Sequence, residues 1–223
     1  LDENGRKVLV TEDIRNGNGR TIKSRYSTPN RVDKIQEPIQ SIFWIMKDDA
    51  LPPLVKITDP RLASILGCTL MTKRSTAENT GAGANLDALV IEPYANPFRV
   101  YPLVEDYEKF KALFDKGVDC YIINTGDFLG KKVTKEVSLG VIETVVDGKA
   151  NFELFGGLPG MEYLPVEGYE VPDMNGEYAE LIRDRMQFRL DYLKAFNDAN
   201  PEHQIPQDAL ESIKTIERFI DVL

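Results

Sequence analysis

The feature that most constrains the fold of this chain is an uninterrupted apolar run, Ser41–Met46 (SIFWIM). Continuous apolar segments of this length, partly β-branched, are typical of strands buried on both faces of a sheet. The run stops at a charged turn, and Pro52-Pro53 excludes regular structure just beyond it. Residues 118–123 (VDCYII) predict a second buried strand. The chain should therefore contain a largely buried sheet.

Helical periodicity separates and follows these strands. Asp59-Pro60 signals a helix start, because Asp59 can accept hydrogen bonds from free amides and proline suits the first turn. Apolar residues spaced three and four apart predict the further helices. Their apolar faces are Tyr107, Phe110, Leu113 and Phe114; Val137, Val141, Ile142 and Val145; Tyr178, Leu181, Ile182, Met186, Leu190 and Leu193; and Leu210, Ile213, Ile216 and Ile220. This order predicts an α/β fold, a mixed β-sheet with flanking helices.

Composition divides the predicted single domain, residues 1–223, into four parts. Residues 1–35 resemble β-hairpin material and are predicted to be a β-rich entry segment. Residues 36–150 should form the α/β core. Residues 151–175 are rich in Gly and Pro and predict a loop, and residues 176–223 predict two C-terminal helices.

Charge and cysteine content restrict the partners. The formal net charge is −9, which opposes non-specific binding to nucleic acid. Residues 1–34 are locally basic and could face a small anion or simply form a solvated surface. No apolar stretch approaches the roughly 18 residues that span a bilayer, so no membrane partner is expected. Cys68 and Cys120 lie in apolar runs and are expected to be buried free thiols, which predicts a cytoplasmic location.

Several catalytic signatures are missing from the sequence. It contains no GxxxxGK[ST] phosphate loop, no HExxH motif and no paired CxxC motif. The only histidine, His203, lies in a polar stretch between the last two helices and is expected at the surface. Catalysis by a Ser-His-Asp or Cys-His arrangement therefore has no candidate base.

Four segments carry a more specific signal. They are Ser24-Arg25-Tyr26-Ser27-Thr28-Pro29; residues 51–58 (LPPLVKIT); the passage from Asn124-Thr125-Gly126 through Gly130-Lys131-Lys132-Val133 to Asp147-Gly148; and Leu158-Pro159-Gly160. Each is ordinary loop chemistry by itself. Together, and in this order, they resemble segments of ATP-dependent phosphoenolpyruvate carboxykinase. The chain thus resembles the C-terminal domain of that family, although residues beyond 175 match it only in being helical.

The resemblance implies a reaction and a set of site residues. Oxaloacetate and ATP would give phosphoenolpyruvate, carbon dioxide and ADP, with Mg²⁺ and Mn²⁺ as cofactors. Arg25 would be catalytic, because a guanidinium can neutralise charge on the transferred phosphate oxygens. Lys131, Lys132, Val133 and Ser138 would bind the adenine and ribose side of the nucleotide. The alternative for Arg25 and the two lysines is a surface position.

The resemblance assigns no metal ligand to this chain. In the family, the phosphate loop and the metal-binding aspartates precede the arginine segment, which implies that they lie upstream of Leu1. The chain would then be a C-terminal fragment that is inactive alone. Its partners would be a small-molecule substrate, the nucleotide and the missing N-terminal part of the same chain.

The chain also departs from the family pattern. The tryptophan that follows the Asn-Thr-Gly turn in the family is Asp127 here, and Lys132 replaces an arginine that could stack on a purine. The lid expected near residues 72–85 keeps only its polar character. Two alternatives therefore stay open: a catalytically altered nucleotide-binding or regulatory module, and a small-molecule kinase on the same scaffold.

Overall fold

The computed structural model describes residues 4–5, 34–73, 88–96 and 99–222. The chain divides into two compact units, residues 1–38 with 73–89 and residues 39–72 with 90–223. The first unit is described only at a few positions, so the architecture below is that of the second. Most of the predicted β-rich entry segment (residues 1–35), Arg25 and most of the predicted lid lie outside the described residues.

A five-stranded mixed sheet organises the second unit, with strand order β1-β5-β2-β9-β8. Strand β1 runs parallel to β5, whereas β2 is antiparallel to both β5 and β9. Two small two-stranded sheets pair β3 with β4 and β6 with β7. The strands are β1 (Ser41–Met46), β2 (Leu54–Ile57), β3 (Met71–Lys73), β4 (Leu89–Ile91), β5 (Asp119–Asn124), β6 (Asp127–Phe128), β7 (Lys131–Lys132), β8 (Glu153–Leu154) and β9 (Met161–Tyr163).

Within the described residues, five α-helices flank this sheet, and their ends follow the sequence signals. They are α1 (Pro60–Cys68), α2 (Leu103–Phe114), α3 (Lys135–Val146), α4 (Gly176–Ala199) and α5 (Gln207–Ile220). Asp59 accepts a hydrogen bond from the Leu62 amide at 2.8 Å and so caps α1 as predicted. Thr134 caps α3 through the Val137 amide at 3.3 Å. Gly117, with φ of 89°, supplies the left-handed residue after α2.

The alternation of side chains along β5 builds two apolar layers. Cys120 and Ile122 face the larger core, to which α1, α2, α4 and α5 contribute. Tyr121 and Ile123 face the smaller core, which packs against α3 and its single buried residue, Val141. Helices therefore cover both faces, which confirms the predicted α/β fold with a mixed sheet.

Two expectations about the sheet were wrong. Strand β1 is not buried on both faces, since Ile45 is 61% exposed while Trp44 and Met46 are buried. The reason is that β1 is the end strand of this sheet and the smaller core on that face centres on β5 and β2. The predicted loop at residues 151–175 contains β8 and β9. Their two and three residues are too few to display a period of two, and pairing of β9 with β2 supplies the order.

The expectations about the two cysteines and the histidine were confirmed. Cys68 and Cys120 are buried free thiols, and His203 is exposed. No described helix carries a stretch apolar enough to pass through a lipid bilayer.

Candidate functional site

The candidate site lies where β1 and β5 end. Because the two strands are parallel, their carboxyl ends share one edge of the sheet, with Met46 beside Asn124. Ligands of open α/β sheets characteristically bind at this edge. The Thr125 amide donates to the Met46 carbonyl at 2.9 Å. Gly126 lies so close to the other strand that a Cβ there would stand 3.1 Å from the Cβ of Lys47. The two strand ends therefore form one continuous surface.

Asn124 fixes the turn after β5 through its side chain, which is fully buried. Its Nδ2 lies within hydrogen-bond distance of three carbonyl oxygens, those of Asp48 (2.8 Å), Leu51 (2.6 Å) and Asp127 (2.8 Å). Its Oδ1 accepts from the Gly126 amide at 2.9 Å. One amide group thus holds together the loop after β1 and the turn after β5.

A charged cluster joins the loop after β1 to α4. Arg185 donates from Nε to Asp48 at 3.1 Å and from Nη2 to Asp49 at 2.6 Å. Arg189 donates from Nη2 to Asp48 at 3.3 Å and from Nη1 to the Thr69 carbonyl. Burial lowers the pKa of Arg189 to about 10, against the opposing effect of Asp48. The guanidinium is therefore still charged at neutral pH.

Sequence reasoning missed this cluster, although a signal was present. Arg189 lies three residues after Met186 and four before Leu193. This spacing places Arg189 at a core position on the apolar stripe of α4. An arginine at such a position needs a buried acidic or carbonyl partner. Nothing in the sequence identified Asp48 as that partner, because 141 positions separate them.

The β6–β7 hairpin presents the two predicted nucleotide-binding lysines. Leu129 and Gly130 form its turn with φ of 47° and 80°, and Lys131 and Lys132 are both exposed. The Lys132 ammonium donates to the Thr125 carbonyl at 3.1 Å, which holds it over the turn after β5. The arrangement places an exposed cation next to the strand ends, and so suits an anionic ligand.

Lys131 points elsewhere. Its ammonium donates to the Gly168 carbonyl and lies 4.6 Å from the centroid of the Tyr169 ring. Two separate environments therefore surround these neighbouring lysines, a difference that the sequence does not reveal.

Val133 and Ser138, which the resemblance assigns to the nucleotide, contact other parts of the fold. Val133 is 2% exposed within the larger core, and its amide donates to the Gly126 carbonyl at 3.0 Å. Ser138 is half-buried in the first turns of α3, where its hydroxyl donates to the Thr134 carbonyl at 3.1 Å. The structure thus groups Lys131, Lys132 and Val133 on one hairpin, with Ser138 just beyond it.

A pocket of about 610 Å³ lies between the hairpin and the start of α4. Its lining is half apolar and half polar, with Leu129, Pro172, Tyr178 and Leu181 beside Asp173, Asn175 and Glu177. The volume is in the range of small-molecule sites. Within the described ranges, no group of three or more His, Cys, Asp or Glu side chains could hold a metal ion.

Comparison with known proteins adds no relative. Neither a scan against protein-family models nor a search of curated proteins found a match for this chain.

Proposed function

We propose that this chain is the nucleotide side of an ATP-dependent phosphoenolpyruvate carboxykinase, which converts oxaloacetate and ATP into phosphoenolpyruvate, carbon dioxide and ADP. In this reaction decarboxylation leaves an enolate, whose oxygen attacks the γ-phosphate while ADP departs. Catalysis of such a transfer depends on positioning and on neutralisation of phosphate charge. Arg25 would supply such a charge, and Lys132 would hold the adenine and ribose side of the nucleotide.

One observation carries the proposal: three of the four segments that resemble the family contact one another in the fold. The Asn124 amide nitrogen donates to the Pro53 carbonyl at 3.0 Å, which joins the Asn-Thr-Gly turn to the Leu-Pro-Pro segment. The Thr58 amide donates to the Gly160 carbonyl at 2.9 Å, which joins that segment to the Leu-Pro-Gly turn. The two contacts lie at opposite ends of β2, because Leu54 pairs with Ile123 and Ile57 with Cys120. The three segments are thus neighbours along one pair of strands, which segments scattered along the sequence by chance have no reason to be.

The implied cofactors fit the described residues unequally. Lys132 suits a nucleotide, because it presents an exposed cation beside the strand ends. The pocket beside the hairpin has the volume of a small-molecule site, but the carboxylates of Asp173 and Glu177 line it and oppose a phosphate group there. For Mg²⁺ and Mn²⁺ the described residues offer no ligand group, and the proposal assigns none to them.

The test is a product assay on the full-length protein that carries this sequence. Phosphoenolpyruvate and ADP are measured with ATP, Mg²⁺ and Mn²⁺, with and without oxaloacetate. The proposal predicts equal amounts of both products, formed only when oxaloacetate is present. ATP consumption that oxaloacetate does not stimulate would indicate a small-molecule kinase, and nucleotide binding without turnover would indicate a regulatory module. Either result overturns the proposal.

A further inference from the structure

The β6–β7 hairpin is attached to the segment after β9 by a clasp made of Lys131, Gly168 and Tyr169. The Lys131 ammonium donates to the Gly168 carbonyl and lies over the Tyr169 ring. In the opposite direction, the Tyr169 hydroxyl donates to the Lys132 carbonyl at 2.6 Å. Two hydrogen bonds and a cation–π contact therefore join segments that are 37 positions apart.

The partner segment is itself fixed, so the clasp has a firm anchor. Tyr169 is 6% exposed, and its amide donates to the Val166 carbonyl at 2.9 Å. Glu170 accepts from the Gly168 amide at 2.7 Å. Backbone hydrogen bonds, and to a lesser degree Lys131, lower the pKa of Glu170, which keeps a negative charge beside the lysine.

Gly168 is required for this approach. Its φ of 79° is in the left-handed region, and a Cβ at this position would stand 2.8 Å from the Lys131 ammonium nitrogen. A larger residue would displace the lysine from the carbonyl that it binds.

The consequence for the two lysines is a division of roles. The Lys131 ammonium makes its contacts within the clasp. The Lys132 ammonium instead donates to the Thr125 carbonyl at the strand ends, while the backbone carbonyl of Lys132 accepts the hydrogen bond from Tyr169. We infer that Lys131 and Tyr169 are positioning residues that hold the hairpin so that Lys132 contacts the nucleotide. This inference rests on the proposed function and goes beyond it, because it removes Lys131 from direct contact with the ligand.

The experiment measures binding of ATP to the full-length protein by calorimetry, at several salt concentrations, for the wild type and four variants. Lys131→Met and Tyr169→Phe break the clasp, and Lys132→Met removes the side chain that is proposed to contact the nucleotide. Tyr163→Phe is the matched control, because the Tyr163 hydroxyl donates to the exposed Glu153 and takes no part in the clasp. Thermal midpoints are recorded alongside.

The expected results distinguish residues that position the hairpin from the residue whose charge contacts the nucleotide. Loss of one clasp contact should weaken binding about 3- to 10-fold, the value of one net hydrogen bond. Tyr169→Phe and Lys131→Met should retain the wild-type salt dependence, whereas Lys132→Met should reduce it, since salt screens a direct charge contact. Tyr163→Phe should bind as the wild type does.

Three results would count against this inference. Wild-type affinity in both clasp variants would show that the clasp does not position the hairpin. A reduced salt dependence in Lys131→Met would make Lys131 a direct ligand. If the wild type itself bound no ATP, the proposed function would fail, and the role of the clasp would fail with it.

Discussion

Arg189 on α4 donates from Nη2 to the Oδ2 atom of Asp48 just beyond β1, at 3.3 Å, and both side chains are 1% exposed. The pair is thus buried next to the carboxyl end of β1, where the candidate site lies. A buried pair of this kind adds little net stability, but removal of one partner leaves an uncompensated charge. Replacement of either Arg189 or Asp48 should therefore destabilise the fold.

Arg189→Met should lower the free energy of unfolding by about 3 kcal/mol, because Asp48 then loses a buried partner. Arg218→Met is the control, since Arg218 pairs with Glu211 at an exposed site and should cost less than about 1 kcal/mol. Urea titration measures both values. Equal effects of the two substitutions would show that the buried pair has no special structural role.

Asn124→Ala should lower the free energy of unfolding by about 2 kcal/mol, because it leaves buried carbonyl groups of the loop after β1 without a donor. The exposed Asn151 provides the control, and Asn151→Ala should change stability by less than about 0.5 kcal/mol. Urea titration again gives the comparison. A stable Asn124→Ala variant would contradict the role assigned to this amide.

Two helical glycines should respond to alanine in opposite directions. In Gly67→Ala the new Cβ would stand 2.5 Å from the Tyr94 ring and 3.1 Å from the Trp44 ring, so overpacking should cost about 1–3 kcal/mol. Gly140 in α3 has no atom within 4 Å of that position, and Gly140→Ala should add up to about 1 kcal/mol through helix propensity. Thermal midpoints of both variants test this, and a rise for Gly67→Ala would refute the close contact.

Stability should fall at alkaline pH. Burial raises the pKa of the Cys68 thiol from its ordinary value of 9.0 to about 12, and burial likewise raises that of Tyr121 to about 12. Below pH 9 the thiol is protonated in both states, and this stability is fully present. Between pH 9 and about 12 the thiol loses its proton in the unfolded chain but keeps it in the folded protein, so this stability is lost as pH rises. Each buried thiol contributes a slope of up to about 1.4 kcal/mol per pH unit in that window.

The check is a series of thermal midpoints from pH 7 to pH 11 for the wild type and Cys68→Ala. The variant should be less stable at neutral pH because it lacks a buried side chain, yet lose stability more slowly above pH 9. Parallel curves for the two proteins would show that Cys68 does not titrate with unfolding.

Much of the fold was predictable because local signals and packing agree. Asp59 is a helix cap in sequence and in structure, and the apolar runs that form β1 and β5 pair as parallel neighbours. The strand β9 was not predictable, since three residues after Gly160 become a strand only by pairing with β2. The exposure of Ile45 was equally hidden, because it depends on which strand stands at the end of the sheet.

The sequence identified residues of the candidate site but not their spatial arrangement. The lysines of the hairpin were identified from sequence, whereas their separate contacts with Thr125 and Gly168 arise from chain segments that the sequence does not connect. The buried amide of Asn124 and the charge of Arg189 were missed for the same reason, because their partners are more than 70 positions away.

The most direct measurement is the rate of oxaloacetate-dependent phosphoenolpyruvate formation by the full-length protein, in the wild type and in Arg25→Ala. Arg218→Ala, at an exposed position on α5, is the control. A guanidinium that neutralises the transferred phosphoryl group predicts a loss of about 100-fold or more in turnover, with nucleotide affinity nearly unchanged. Equal turnover in Arg25→Ala and the wild type, or no phosphoenolpyruvate from the wild type, would contradict the proposed function.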